Sequence, residues 1–491
     1  MKREGASGGM SNPPPVFDAW RTACVYADAL AISRAAAPLW RDRQAARLDE
    51  LLREVAPRSR LYRARLAAAG PARSAFETLA RIKPVRKREL MQHFDAWVTD
   101  PALSLPALRA FTRDPARRGE PFLGRYLVWE SSGSSGEPAL FVQDERSLAV
   151  ADALEAARGP ISLAGVAGLW RRAPRIALVA ATCGHFASVV AFERVRALNP
   201  WLGAASRSFS FLQPIAQLVA QLDAFAPTVL ASYPSMAWVL AAEQAAGRLQ
   251  LALEGVWTGG ETLTATTRRV LGARFHAPVR DSYGASECFL IANECRCGRL
   301  HVNADWVVLE PVDRHGRPVA PGEVGHTTLL TCLANPVQPI IRYDLGDRMR
   351  FVPGDCACGS RLPVIEVQGR SDDVLTLDDD HGHAVHLAPL ALTTVLEDEA
   401  GVFDFRLRQR GPHGLRLDLY PCADAEHAGR RAGQALRGFL RERGLGATRV
   451  EVHREARPAA RGRSGKQCRV VCDPQRAVLS ERAAAATHAT A

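Results

Sequence analysis

Residues 255–287 read GVWTGGETLTATTRRVLGARFHAPVRDSYGASE. Short strand-length stretches, GVWT at 255–258 and VRDSY at 279–283, stand on either side of a helix-length stretch over 265–275, which reads as strand, helix, strand. Each strand runs out into a turn carrying glycine and a carboxylate. The first ends in Gly259, Gly260 and Glu261; the second ends at Tyr283 and continues through Gly284 and Ser286 to Glu287. Strands alternating with helices form a largely parallel sheet, and in such sheets ligands gather at the carboxyl ends of the strands.

The same alternation extends toward the N-terminus, with strands expected over 126–130, 175–181 and 228–232 and helices over 144–158, 215–225 and 234–246. Residues 17–111 carry Ala, Leu and Arg at three- and four-residue spacing and read as helical. After Trp306 the texture changes to short β segments at 306–312, 325–331 and 340–343. Beyond Arg370, period-two runs at 403–410 and 415–420 flank the turn GPHG, followed by a helix over 425–443 and a strand near 448–453. The expected fold class is therefore α/β. A large N-terminal domain with mixed or parallel sheets spans 16–370, a hinge 371–373, and a small α+β C-terminal domain 374–482, between a flexible N-terminus (1–15) and a flexible tail (483–491).

Composition removes several function classes. With 47% hydrophobic and 23% charged residues in a chain of 491, wholesale disorder is excluded. The 11 cysteines are odd in number and thinly spread, and the opening MKREGASGGM has charge without an apolar run. A secreted disulfide scaffold is not expected; a cytoplasmic protein with reduced thiols is. The longest apolar stretches are broken by His185, Gln213, Pro214, Gln217 and Asp223, short of the about 20 residues a membrane span requires. The net charge of +11 is scattered: from residue 371 onward 18 basic residues face 17 acidic ones, with no basic stripe interleaved with aromatics. Neither nucleic acid nor membrane is an expected partner.

Of 63 basic residues only four are lysines: Lys2, Lys83, Lys87 and Lys466. Ammonium is a compact point charge and guanidinium a planar fork, so a lysine kept in so arginine-rich a chain is a candidate functional group. Lys466 follows a glycine in RSGKQCRVV; the alternative is a surface lysine after a loop. The loop Ser131, Ser132, Gly133, Ser134, Ser135, Gly136, Glu137, Pro138 follows a strand and precedes a helix. Glycines and hydroxyls of this kind can wrap phosphate oxygens, the alternative being a linker. Asp347 closes a strand in IRYDLGD, and Arg370, Ser371, Asp372 and Asp373 follow. Taken singly, each is an ordinary strand-end turn.

Taken in order, these segments resemble the adenylate-forming superfamily of acyl-CoA synthetases, and most of all the phenylacetate–CoA ligase family. The likeness runs from about Tyr126 to Lys466. It implies that Ser131 to Gly136 hold the ATP phosphates, that Gly259, Gly260 and Glu261 flank adenine, and that Tyr283, ahead of Gly284, stacks near it. It further implies that Ser286 touches the α-phosphate, Glu287 binds Mg²⁺, and Asp347 and Arg370 hold the ribose hydroxyls. Asp372 becomes the hinge of a mobile small domain. Lys466 becomes the catalytic cation that meets substrate carboxylate and α-phosphate. A carboxylate attacking an anionic phosphate needs offsetting cations, which fits Lys466 and Mg²⁺ on Glu287. A hinged domain can then withdraw Lys466 and admit a thiol. Two departures stand out: Glu137 replaces the usual lysine of the phosphate loop, and TLDDDHGHAVHLAPL replaces the usual segment after Asp373.

Six of the cysteines fall between Cys288 and Cys358, and two Cys-x-Cys-Gly knuckles with His301 offer five soft ligands. In a reduced chain this is a zinc signal, against the alternative of free thiols. The resemblance favours Cys295, His301, Cys356 and Cys358 as a closed structural site, with Cys297 as substitute for His301. His185, Phe186 and Tyr233, at strand ends, would suit an aromatic or flat acid, or else belong to the core. No G-x-S-x-G elbow is present in the 283–287 turn, so a serine hydrolase is excluded. The expected activity is ATP-dependent ligation of a carboxylic acid to CoA, by a monomer or homodimer, with ATP, Mg²⁺, CoA and structural Zn²⁺. The alternatives are transfer to a carrier-protein thiol or an amine, and a nucleotide- and zinc-binding protein without turnover.

Overall fold

The computed structural model describes residues 15–35, 37–131, 138–159, 174–371, 373–420, 425–455 and 467–472. The 265–275 helix and its two flanking strands lie at the centre of a nine-stranded sheet. Its order is Asp347–Val352, Val364–Arg370, Leu300–Val302, Ala292–Glu294, Val279–Tyr283, Gly255–Gly259, Val229–Ser232, Ile176–Ala180, Ser206–Ser210. From Val279–Tyr283 to Ser206–Ser210 every neighbouring pair is parallel. From Val279–Tyr283 to the opposite edge every pair is antiparallel. The sheet thus changes character at the strand that carries Tyr283. Helices Pro234–Ala245 and Ala265–Phe275 make the parallel crossovers. Ile176–Ala180 is buried along its whole length, as an apolar strand covered on both faces should be.

The helical spacing before Phe111 is realised as a series of helices, among them Ala19–Arg34, Ala37–Arg58 and Arg60–Ala69. Asp18 and Ser59 cap the first and third by accepting the amides of Arg21 and Tyr62. A three-stranded antiparallel sheet is inserted in sequence between the central strands Leu300–Val302 and Asp347–Val352: Val307–Val312, Thr327–Cys332, Tyr343–Asp344. Its third strand is shorter than the apolar pattern at 340–343 suggests. Arg342 takes φ +48 and breaks the ladder. Its guanidinium holds that conformation by bonding Glu310 and the carbonyls of Ala80 and Ile82.

Two further departures from the sequence reading concern connections. The serine–glycine loop joins Leu127–Glu130 to a second strand, Leu140–Gln143, with which it pairs antiparallel. The loop therefore closes a hairpin and does not lead into a helix; Glu145–Arg158 begins only after the second strand. The segment TLDDDHGHAVHL forms another hairpin, Leu375–Asp378 with Ala384–Leu387, followed by helix Pro389–Asp398. The last part of the chain is a four-stranded sheet in the order Arg449–Arg454, Gly414–Leu419, Phe405–Gln409, Val470–Val471, with helix Ala425–Arg441 packed on it. It has its own hydrophobic core, running from Leu375 to Val470, whereas the largest core of the preceding part stops at Ile365. Among the described residues no helix is long and apolar enough to cross a membrane.

Candidate functional site

Strands Gly255–Gly259 and Val279–Tyr283 end side by side, with Gly259 opposite Ser282. A β-carbon at Gly259 would stand 3.0 Å from Ser282 Oγ, and Gly260 takes φ +76. At Gly284 a β-carbon would meet the Phe289 carbonyl oxygen at 1.9 Å, so only glycine fits this turn. The two turns therefore leave bare backbone at the carboxyl edge of the sheet.

Two tyrosine–carboxylate pairs fix that edge. Tyr283 donates its hydroxyl to Asp347 Oδ2 at 2.5 Å, and Arg370 Nη1 donates to Asp347 Oδ1 at 3.3 Å. Asp347 and Arg370 face each other in the terminal antiparallel pair of the sheet. Burial first, then the charge of Asp347, raises the Tyr283 phenol well above its ordinary value, so it stays a donor at neutral pH. In the second pair Tyr343 donates to Glu287 Oε1 at 2.6 Å, its phenol likewise raised by burial and then by Glu287. The Trp129 indole donates to the Ser286 carbonyl at 2.8 Å. The turn from Tyr283 to Glu287 is thus pinned at three points.

Glu261 receives three donors: the Ser235 amide and hydroxyl, each at 3.1 Å, and the Gln467 amide at 2.9 Å. The last crosses from the C-terminal unit to the strand end. Lys466, Asp372 and residues 132–137, which include Ser132, Gly133, Ser134, Ser135 and Gly136, lie outside the described residues. Ser131 is described; its amide donates to the Ala139 carbonyl and its hydroxyl accepts the Ala139 amide, closing the base of the hairpin. Gln467 is covalently next to Lys466, and consecutive α-carbons are ~3.8 Å apart.

The three residues expected to meet the acid are all largely enclosed: His185 is 0%, Phe186 5% and Tyr233 9% exposed. His185 packs on Phe111 with ring centroids 5.7 Å apart, and burial lowers its pKa, so the ring is neutral. Phe186 and Tyr233 share one apolar cluster. Burial, then the charge of Glu261, pushes the Tyr233 phenol up to about 12.

Beneath the glycine pair, Asp281 is enclosed beside Glu294 and accepts the Thr258 hydroxyl at 2.7 Å. Burial pushes its carboxyl up to about 7 from an ordinary 3.8. Between these values the folded chain keeps a proton that the unfolded chain releases. Stability is therefore expected to fall as pH rises from about 4 to about 7. Urea midpoints of the wild type and Asp281→Asn across that range check this. The variant should lose part of the slope, and an identical slope would refute the assignment.

A separate cluster unites the turns of two neighbouring hairpins. The donor atoms of Cys295, His301, Cys356 and Cys358 all lie within 4.8 Å of one another. Cys295 Sγ is 3.7 Å from Cys356 Sγ, and Cys358 Sγ is 3.4 Å from His301 Nε2. Tetrahedral zinc with Zn–S of ~2.3 Å and Zn–N of ~2.0–2.1 Å would separate its donors by about 3.8 and about 3.5 Å. The spacing fits zinc. His301 Nδ1 lies 2.9 Å from the Leu362 carbonyl, which fixes the tautomer and turns Nε2 toward the thiols. Cys297 is exposed and stands outside this group of four.

Sequence reasoning missed Ser235, Tyr343 and Gln467. Tyr343 lay within a quoted motif, but nothing local marks a tyrosine as the partner of a carboxylate 56 positions earlier. Gln467 offers a backbone amide, which every residue but proline carries, so no side-chain signal could have found it.

No family model matches the chain, and no curated protein sequence matches it. Solved structures do. A 2-hydroxyisobutyryl-CoA ligase in the postadenylation state with 2-HIB-AMP is 20% identical, with a TM-score of 0.67 over 92% of this chain and 94% of that one. This chain has the fold of that acid–CoA ligase. The same ligase in its thioesterification state, with 2-HIB-AMP and CoA, is 21% identical with a TM-score of 0.55 over 93% and 94%. Its open conformation gives a TM-score of 0.53 at 20% identity, over 88% and 90%. The α/β fold expected from the alternating strands and helices is the fold found.

Proposed function

We propose that the chain is an AMP-forming acid–CoA ligase that converts a carboxylic acid and ATP to an acyl-adenylate and pyrophosphate, then to an acyl-CoA and AMP. The observation that carries this reading is the amide of Gln467 on Glu261. It tethers the residue next to Lys466 at the edge where two glycine turns expose backbone. In this reading Gly259 and Gly260 receive the flat base, Tyr283 borders it, and Asp347 with Arg370 meets the ribose hydroxyls. Residues 131–136 wrap the phosphates and Ser286 meets the α-phosphate. Glu287 would hold Mg²⁺, which would supply charge neutralisation at the phosphates. Lys466 adds the compact ammonium that the attacking carboxylate and the α-phosphate both require. Structures of like fold hold 2-HIB-AMP, and in another state also CoA, which supports both half-reactions.

The finer assignments are proposals of the same kind. Asp372 is the hinge between units. The acid is aryl or otherwise flat and meets the Phe186 and Tyr233 side of the sheet, as in a phenylacetate–CoA ligase-like enzyme. Cys295, His301, Cys356 and Cys358 hold one structural zinc, and a reducing cytoplasm keeps its thiols available.

Acid-dependent exchange of labelled pyrophosphate into ATP, run across aryl and aliphatic acids, tests the first half-reaction. Consumption of free CoA with release of AMP tests the second. The expected result is exchange with one class of acid and CoA turnover with the same class. Exchange without CoA consumption would point to a carrier-protein thiol or an amine as acceptor. ATP binding with no exchange would leave a nucleotide-binding protein without turnover.

A further inference from the structure

Helix Ala265–Phe275, the crossover between the two glycine-ended strands, receives two carboxylates from the C-terminal unit at its N-terminus. Glu397 Oε2 accepts the hydroxyls of Thr264 and Thr267, the latter at 3.0 Å, while Glu397 Oε1 accepts Arg469 Nη1. Asp398 Oδ1 accepts the Thr266 hydroxyl, onto which Arg269 Nη2 also donates at 2.8 Å. The Glu397 side chain is 0% exposed. A carboxylate taken out of water persists only where charge and donors replace its hydration. Here one guanidinium, two hydroxyls and the positive end of a helix dipole do so. Alongside, Trp238 and Phe403 stack at 3.6 Å with an interplanar angle of 16°.

We propose that this seating of Glu397 and Asp398 on the Thr264–Thr267 turn is a detent that holds the small unit in its adenylating arrangement. Glu397 and Asp398 then act as positioning residues for Lys466. This rests on the acid–CoA ligase reading. The connection is short. Glu397 grips Arg469, the Gln467 side chain reaches Asp404 at 2.9 Å, and the Gln467 amide bonds Glu261. The segment leaving Lys466 is thereby fixed from both units. The division of partners makes the joint reversible. Arg469 belongs to the same unit as Glu397, so when the small unit turns away the carboxylate keeps its counter-charge. At Glu397 the threonine hydroxyls and the helix end are exchanged for water, with no charged partner lost.

The test is the double variant Thr266→Val, Thr267→Val in the full chain, which removes two hydroxyl donors, keeps side-chain shape and leaves the Thr264 cap in place. Backbone amide exchange in residues 467–472 is expected to rise about tenfold or more, the scale of hydrogen bonds to a charged group. Acyl-adenylate formation should fall by a similar factor, while thioester formation from supplied acyl-adenylate and CoA holds or quickens. Unchanged exchange in 467–472 with adenylation intact would overturn the detent and leave the ligase reading standing. Equal loss of both half-reactions with unchanged exchange would assign the threonines a purely structural role and also overturn it. Raised exchange in the variant of a protein that adenylates no acid would uphold the joint and sink the ligase reading. Should the double variant fail to fold, Asp398→Asn carries the same expectations at about half the effect on a logarithmic scale.

Discussion

Lys466→Ala is expected to slow acyl-adenylate formation by about 10²–10³-fold, the cost of removing one preorganised charge-stabilising donor from a transition state. The acid brings one negative charge to an α-phosphate that already carries another. The loop that would wrap the departing phosphates offers Glu137 where a lysine would offset them, which leaves Lys466 a larger share of the compensation. Thioester formation from supplied acyl-adenylate should change far less, because the thiol attacks a neutral acyl carbon and AMP leaves. Lys466→Arg should not restore the first step, since a planar guanidinium cannot take the place of a point charge on a flexible stem. Pyrophosphate exchange and single-turnover thioesterification, measured on one preparation, separate the two steps. Equal loss in both would count against Lys466 as the adenylating cation.

Elemental analysis is expected to return about one zinc per chain, and His301→Ala or Cys356→Ser to lose it together with a drop in Tm of about 10 °C or more. A structural zinc contributes ~10–16 kcal/mol in isolated fingers, comparable with the entire stability of a domain. Each kcal/mol shifts Tm by ~2–4 °C in a domain of ~150–250 residues. The loss should reach the edge proposed to bind the nucleotide as well. Cys356 and Cys358 lie in the turn of the hairpin Asp347–Val352 with Val364–Arg370, and the open end of that hairpin is the Asp347–Arg370 pair. A hairpin of six paired positions spans ~20 Å, so fraying from its turn loosens Asp347 and raises the KM for ATP. Pure protein without metal but with full thermal stability would remove the site.

The hairpin also shows why the fold was more legible than the site. Strand and helix lengths set off by glycine turns are local, so strands at 255–258 and 279–283 and the helix between them agree with the structure to within a residue. The expected helices over 215–225 and 265–275 have the observed ends. What misled the reading was also local. The run at 340–343 is apolar enough for a strand, but Arg342 at φ +48 is held by carbonyls more than 250 positions away. The serine–glycine loop looked like a strand-to-helix turn because the partner strand Leu140–Gln143 has only four residues.

Sequence by itself determined the α/β class, the order of the strand-end motifs and the pool of five soft ligands, and singled out Lys466 as a candidate cation. All of these are properties of residue type and spacing, and the physics of periodicity and ligand chemistry acts on them directly. Tertiary structure alone decided which side chains meet. It joined Tyr283 to Asp347 and Tyr343 to Glu287, excluded Cys297 from the soft-ligand cluster, enclosed His185 against Phe111, and seated Glu397 on the turn after Thr264. Hydrogen bonds and donor clusters depend on distances of a few ångströms between residues far apart in the chain. Those distances are fixed only when sheet register and domain packing bring the segments together.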